Sequence, residues 1–316
     1  MTSLLESRVT TLLTNSLGRA PTASEVSQGL LAPWTLSTVH NQLNVGQSIY
    51  SITTTDSIQA ALDSAHAQGG GTVYLQPGTY HLTTNLTGYS SVALTGVSPD
   101  STILDFGGTA YGVVFNNISD ATLAGFAVQN TTGKGISITN STKVSFDNIE
   151  ALGCGIGFFL DTNTEVFASK VLATGCTTDG FQISGMSLCN WQSANAIGNG
   201  GNGFTFNTVD TFAAFPMAAN NNGGIGVSLT SVTNSPMLIG AISNTSDGIK
   251  MVSGCSGMNL FMGGYITNGG YGINIANASD ASNIIMGNIL NGNTSGAVNN
   301  TGTGTLIRSN IGVADN

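Results

Sequence analysis

The chain predicts an all-β fold, a right-handed parallel β-helix of about ten coils with a small helical segment at its N-terminus. The first observation is a glycine that recurs at Gly112, Gly135, Gly157, Gly180, Gly203, Gly226, Gly248, Gly272 and Gly296, in steps of 23, 22, 23, 23, 23, 22, 24 and 24 residues. A period held over eight intervals means one structural unit stacked on itself. The second is an apolar alternation just after each glycine. Val113, Ile136, Phe158, Phe181, Phe204, Val227, Ile249, Ile273 and Ala297 come next, and Phe115, Ile138, Leu160, Ile183, Phe206, Leu229, Met251 and Ile275 come two residues later, with mostly polar residues between. That alternation predicts a strand with one buried face. The third is a low charged content, 7% of residues, which disfavours long surface helices.

Each coil is expected to hold three short strands and three turns. A second inward column lies eleven residues after the glycine, at Leu123, Phe146, Ala168, Trp191, Ala214 and Met237. Turns fall in Gly, Asn, Ser and Thr clusters such as Asn220-Asn221-Asn222-Gly223-Gly224, which accept left-handed backbone. The hand is set by the preference of parallel connections for right-handed crossovers.

Upstream, residues 56–90 contain an amphipathic stretch with Ile58, Ala61 and Leu62 on one side. Next come the Gly69-Gly70-Gly71 stop, Val73-Tyr74-Leu75, a Pro77-Gly78 turn and Tyr80. This segment resembles the opening of pectate-lyase-like β-helix proteins, a superfamily shared by pectin-degrading enzymes and phage tailspikes. The resemblance implies that a short helix at about 56–68 plugs the first coil, and that the solenoid occupies residues 47–316. A plug makes physical sense, because an open coil exposes unpaired strand edges and core side chains.

Residues 1–46 form the other piece and read as helical. Leu4, Leu5, Val9, Leu12 and Leu13 share one face, and Thr22-Ala23-Ser24-Glu25 has the capping-box pattern. The segment is expected to be a pad on the first coil or an anchor for a larger assembly. Glu6 near the start, with no basic flank before an apolar run, predicts no secretory signal, and no stretch predicts membrane insertion. The net charge of −9 excludes a nucleic-acid partner. An extracellular or virion-surface location is expected.

Cys154 and Cys176 each lie nineteen residues after their glycine and are expected to form an inward ladder on adjacent coils, about 4.8 Å apart, with a disulfide as the alternative. Asp120, Lys143 and Glu165 lie eight residues after theirs and predict a minus, plus, minus column that registers the coils, with an acid and base role as the alternative.

Two places offer catalytic chemistry. Thr177-Thr178-Asp179-Gly180 resembles the Asn-Thr-Asp-Gly strand of polygalacturonases, which implies Asp179 as a catalytic carboxylate, while Asp before Gly is also common turn chemistry and gives a structural role as the alternative. Where that family places an Asp pair this chain has Asn202-Gly203, and where it places Gly-His-Gly this chain has Gly224-Ile225-Gly226. A lyase would need a base and a cation beside it, and Asp247 with Lys250 is the pair on offer. Arg308 is the one arginine of the solenoid and lies too far along to join them. No metal motif is present and no cofactor is expected, calcium being open. Glycan binding asks for less: Tyr111, Phe159, Tyr265 and Tyr271 are the expected outward rings on a polar wall.

The chain is therefore expected to be a tailspike-like, mainly non-catalytic protein that recognises a surface or matrix glycan. The alternatives are a polysaccharide hydrolase or lyase, and a filament or shell subunit without a ligand. After Thr305-Leu306-Ile307 no second cap is visible, so self-association as a trimer or end to end is expected.

Overall fold

A computed structural model describes residues 48–312. The expected helical segment at 1–46 lies outside the described residues. Those described form an all-β parallel solenoid of about 11 turns with a single helix, and every strand pairing among them is parallel.

The helix Ile58–Ala67 stands where the plug is expected, and it buries Ile58, Ala61, Leu62 and Ala65. Ser57 caps it by accepting from the Ala60 amide at 3.2 Å. Glycines at φ +84°, +133° and +155° then turn the chain into the strand Gly71–Leu75. That strand lies between Ser48–Ile52 and Val92–Thr95. Tyr80 sits beneath, its hydroxyl 2.8 Å from the carbonyl oxygens of both Ile52 and Gln76, which share its one proton.

One coil shows how the period becomes structure. The strand Ile156–Asp161 makes the first face. Thr164–Thr174 makes the second and third faces, bending at Lys170, whose φ is +52°. A turn through Gly175–Asp179 then leads to the next glycine. Along the first face Ile136, Phe158, Phe181, Phe204 and Val227 stand in register, and the rings of Phe158, Phe181 and Phe204 stack at 4.7 and 4.6 Å. The second column, Leu123 to Met237, is in register and buried as expected.

The structure adds a third inward column that the apolar pattern does not announce. It runs Val128, Ala151, Ala173, Ala196, Ala219, Ala241, Tyr265 and Leu290. Small alanines here let a ladder of buried asparagine amides pack beside them. Asn199, Asn222, Asn244 and Asn268 each donate through Nδ2 to the Oδ1 of the next, at 3.0, 2.9, 3.0 and 2.9 Å, the last reaching Asn293. Each also donates to a carbonyl of the preceding coil. Cys154 and Cys176 occupy the same column on the two coils before, and the Cys176 amide donates to Asn199 Oδ1 at 3.0 Å.

This ladder explains five of the repeating glycines, Gly180, Gly203, Gly226, Gly248 and Gly272. A Cβ on Gly203 would lie 2.6 Å from the Gly226 carbonyl oxygen, 2.8 Å from Asn222 Nδ2 and 3.0 Å from Ala219 Cβ. Gly180 and Gly226 meet equivalent neighbours. The glycine is required by close approach, because none of these three has a positive φ. The corners are the reverse case: Asn140, Lys143, Asn148, Glu165, Lys170 and Leu188 are left-handed without being glycine.

All four cysteines are free and buried. Burial pushes the thiol of Cys176 up to about 12 and those of Cys189 and Cys255 up to about 11. Native protein at neutral pH should therefore resist iodoacetamide at all four sites and react fully once denatured, which mass spectrometry reads directly. Rapid native labelling would contradict the inward thiol ladder.

Candidate functional site

Six of the seven residues singled out from the sequence fall on the first face of the solenoid. The residue before each repeat glycine forms one row: Tyr111, Lys134, Ile156, Asp179, Asn202, Ile225, Asp247 and Tyr271. Seven coil steps of about 4.8 Å make the row about 34 Å long. Beside it runs a second outward row, Ser137, Phe159, Gln182, Thr205, Ser228, Lys250 and Asn274, in strand register. The face is a flat wall of hydroxyls and amides with aromatic rings towards both ends.

At the first end Lys134 organises the rings. Its ammonium lies 3.1 Å from the centroid of Phe159 and 5.9 Å from that of Tyr111, which is 47% exposed. Both separations lie within cation–π range. Burial against the rings holds the lysine below its ordinary value, with Asp161 opposing that shift. Sequence reading names the two rings and misses the lysine between them. Lys134 occupies the position of Tyr111 one coil on, and Phe159 stands two residues past the next glycine, so the repeat arithmetic contains the signal.

Asp179 is a brace. Its Oδ1 accepts from the Asn202 amide at 2.7 Å, and its Oδ2 accepts from the Thr205 hydroxyl at 2.8 Å and from Gln182 Nε2 at 3.2 Å. Asn202 repeats the contact one coil on, accepting from the Ile225 amide at 2.8 Å. Asp247 makes it again, accepting from the Tyr271 amide at 2.7 Å and from Asn274 Nδ2 at 2.9 Å. Gly201 and Gly270 keep these turns open, since a Cβ on either would collide with the Asp179 or Asp247 Oδ1. Three coil steps put the two carboxylates about 14 Å apart. That exceeds the roughly 6.5 to 9.5 Å needed by a paired acid and base.

Lys250 stands outward between Ser228 and Asn274. Among the described residues it makes no ion pair with Asp247, which is buried. Tyr271 is half-buried at the far end of the face. Tyr265 corrects the expectation of an outward ring: it has no exposed surface and belongs to the alanine column, between Ala241 and Leu290. Its parity places it inward on the third face, however close to Tyr271 it lies in sequence. Burial raises its hydroxyl well above the ordinary tyrosine value.

The column Asp120, Lys143 and Glu165 stacks on three consecutive coils at left-handed corners. Among the described residues these side chains form no ion pair within 4.0 Å. Nor, among the described residues, do any three His, Cys, Asp or Glu side chains gather in a way that could hold a metal ion. No described helix is long and apolar enough to cross a membrane.

No family model and no curated protein matches this chain. Solved structures do. The A-module of mannuronan C-5 epimerase AlgE6 from Azotobacter vinelandii aligns with a TM-score of 0.66 at 23% identity, covering 76% of this chain and 74% of that one. Pectate lyase Pel9A aligns at 0.61 and 15%, covering 84% and 80%. The chain has the pectate-lyase-like parallel β-helix fold. A third protein with this β-helix, the Dettilon tailspike protein, aligns at 0.57 and 13%, covering 82% and 66%. At such identities the likeness establishes the β-helix alone.

Proposed function

We propose that this β-helix is a glycan-recognition protein of tailspike type, mainly non-catalytic, working outside the cell or on a virion surface. The observation that carries the reading is the first face itself, about 34 Å of outward hydroxyls and amides with the Tyr111, Lys134 and Phe159 cluster at one end and Tyr271 at the other. Aromatic rings pack the apolar faces of sugars, and the polar rows offer donors and acceptors to their hydroxyls. The printed names of its structural neighbours support the class: an epimerase of mannuronan, a pectate lyase and a tailspike protein.

The non-catalytic part rests on Asp179 and Asp247. Asp179 has both oxygens hydrogen-bonded, to its own and the next coil, and Asp247 has both bonded to the next coil, which leaves neither poised to exchange a proton with a ligand.

Self-association belongs to the same reading. Exposed apolar side chains concentrate on the last coils, where Met262 is 66% and Ile311 65% exposed and Met286 and Ile289 stand near them. A second copy covering them would remove an apolar patch from water. Light scattering should therefore give a mass above the 32.1 kDa chain.

Affinity electrophoresis of the full chain through gels containing bacterial and plant polysaccharides tests the function, with reducing ends and unsaturated uronate followed in parallel. Retardation by at least one polysaccharide without product is expected. Product would replace the reading with a hydrolase or a lyase according to its type, and no retardation across the panel would leave a structural subunit.

A further inference from the structure

Around the corner from the first face, the second face carries a different arrangement. Phe167 points outward between Ser145 and Asn190 and is 50% exposed. It forms the ridge between two shallow concavities. One, of about 420 Å³, is lined by Asp120, Lys143 and Glu165. The other, of about 210 Å³, is lined by Asn190 and Gln192. The three charged groups are uncommitted, as no hydrogen bond or ion pair among the described residues holds them to each other or to the backbone.

We propose that Phe167 and its two flanking hollows form a second carbohydrate site that takes a neutral disaccharide, one sugar on each side of the ring. The larger hollow is within the size range of small-ligand sites. Asp120 and Glu165 accept hydroxyl hydrogen bonds and Lys143 donates one, while Asn190 and Gln192 do both on the other side. The exposed ring supplies the apolar surface against which a sugar face packs. Neutrality comes from the charge order: a carboxylate stands on either side of the one ammonium, so an anionic sugar meets repulsion from two neighbours for attraction to one. The left-handed corner marks no site by itself, because Leu188 and Thr211 continue it on later coils without charge. This site shares no residue with the first face and stands or falls separately from it.

Saturation-transfer NMR on the full chain tests it, in a Tyr111→Ala/Phe159→Ala background that removes first-face ring contacts. The probes are cellobiose and N,N′-diacetylchitobiose, with digalacturonate as the anionic comparison. Transfer to at least one neutral probe is expected. Phe167→Ala, which leaves the core untouched, should weaken it about tenfold, and Lys143→Met should weaken it in a chain whose Phe167 is intact. Absence of transfer to both neutral probes, binding unchanged by both variants, or digalacturonate preferred over both neutral sugars would each overturn the proposal.

Discussion

Asn222→Ala is expected to destabilise the middle of the solenoid by about 3 to 5 kcal/mol. Its Oδ1 accepts from the backbone amide and Nδ2 of Asn199 at 3.1 and 3.0 Å, and its Nδ2 donates to the Ala196 carbonyl and to Asn244 Oδ1 at 3.1 and 2.9 Å. Truncation removes all four bonds and leaves buried polar groups on both adjacent coils without those partners. Each such group costs about 1 to 3 kcal/mol. Because a solenoid couples mainly nearest neighbours, the loss should be local. Hydrogen exchange should speed up in the strands Phe181–Ile197 and Phe204–Asn220 and much less in Gly71–Leu75. Uniform acceleration along the chain, or none, would contradict a ladder that locks coil to coil.

Asp179→Ala separates a brace from a catalyst. The Asn202 amide, the Thr205 hydroxyl and the Gln182 amide all donate to this carboxylate, and hydrogen bonds to a charged group contribute about 1.5 to 3 kcal/mol each. Since the site is only partly buried, a net loss of about 2 to 3 kcal/mol is expected. Asp179→Asn should retain part of it, because the remaining oxygen can still accept from the Asn202 amide. Thermal unfolding reads both variants. A wild-type melting temperature in the alanine variant, with loss of a polysaccharide-cleaving activity, would restore Asp179 to a catalytic role.

The fold is legible because it repeats. One glycine position, two apolar columns and the plug at Ile58–Ala67 are each visible as a column or a local pattern, and all three stand in register in the structure. The third column is not legible, since alanine carries little apolar signal and five of its eight members are alanines. The asparagine ladder is hidden for the opposite reason. In a chain so rich in asparagine, Asn199, Asn222, Asn244 and Asn268 look like turn residues until their columns are aligned with Cys154 and Cys176. Tyr265 reads as outward when Tyr271, its neighbour in sequence, is the guide; Ala241, its neighbour in space, gives the inward answer.

The candidate site is legible as separate residues and not as an arrangement. Tyr111 and Phe159 stand out singly, and only the stacking of coils brings them to either side of Lys134. Asp179 reads as chemistry because Asp before Gly is also the start of a catalytic strand elsewhere, and Asp247 because Lys250 follows it on the same coil. Their hydrogen-bond partners, all on the same wall, support the structural role, and partners are a property of the fold. Phe167 escapes sequence reading because its outward parity lies on the second face, whose strands continue into the third without a break in sequence.

The central claim is that the first face holds a glycan through its rings. Retention of the Tyr111→Ala/Phe159→Ala double variant tests it most directly, measured beside the parent chain on whichever polysaccharide retards the parent. Loss of retention with an unchanged melting temperature is the predicted result, as both rings stand outside the core. Retention equal to that of the parent would contradict the claim and place recognition on another face.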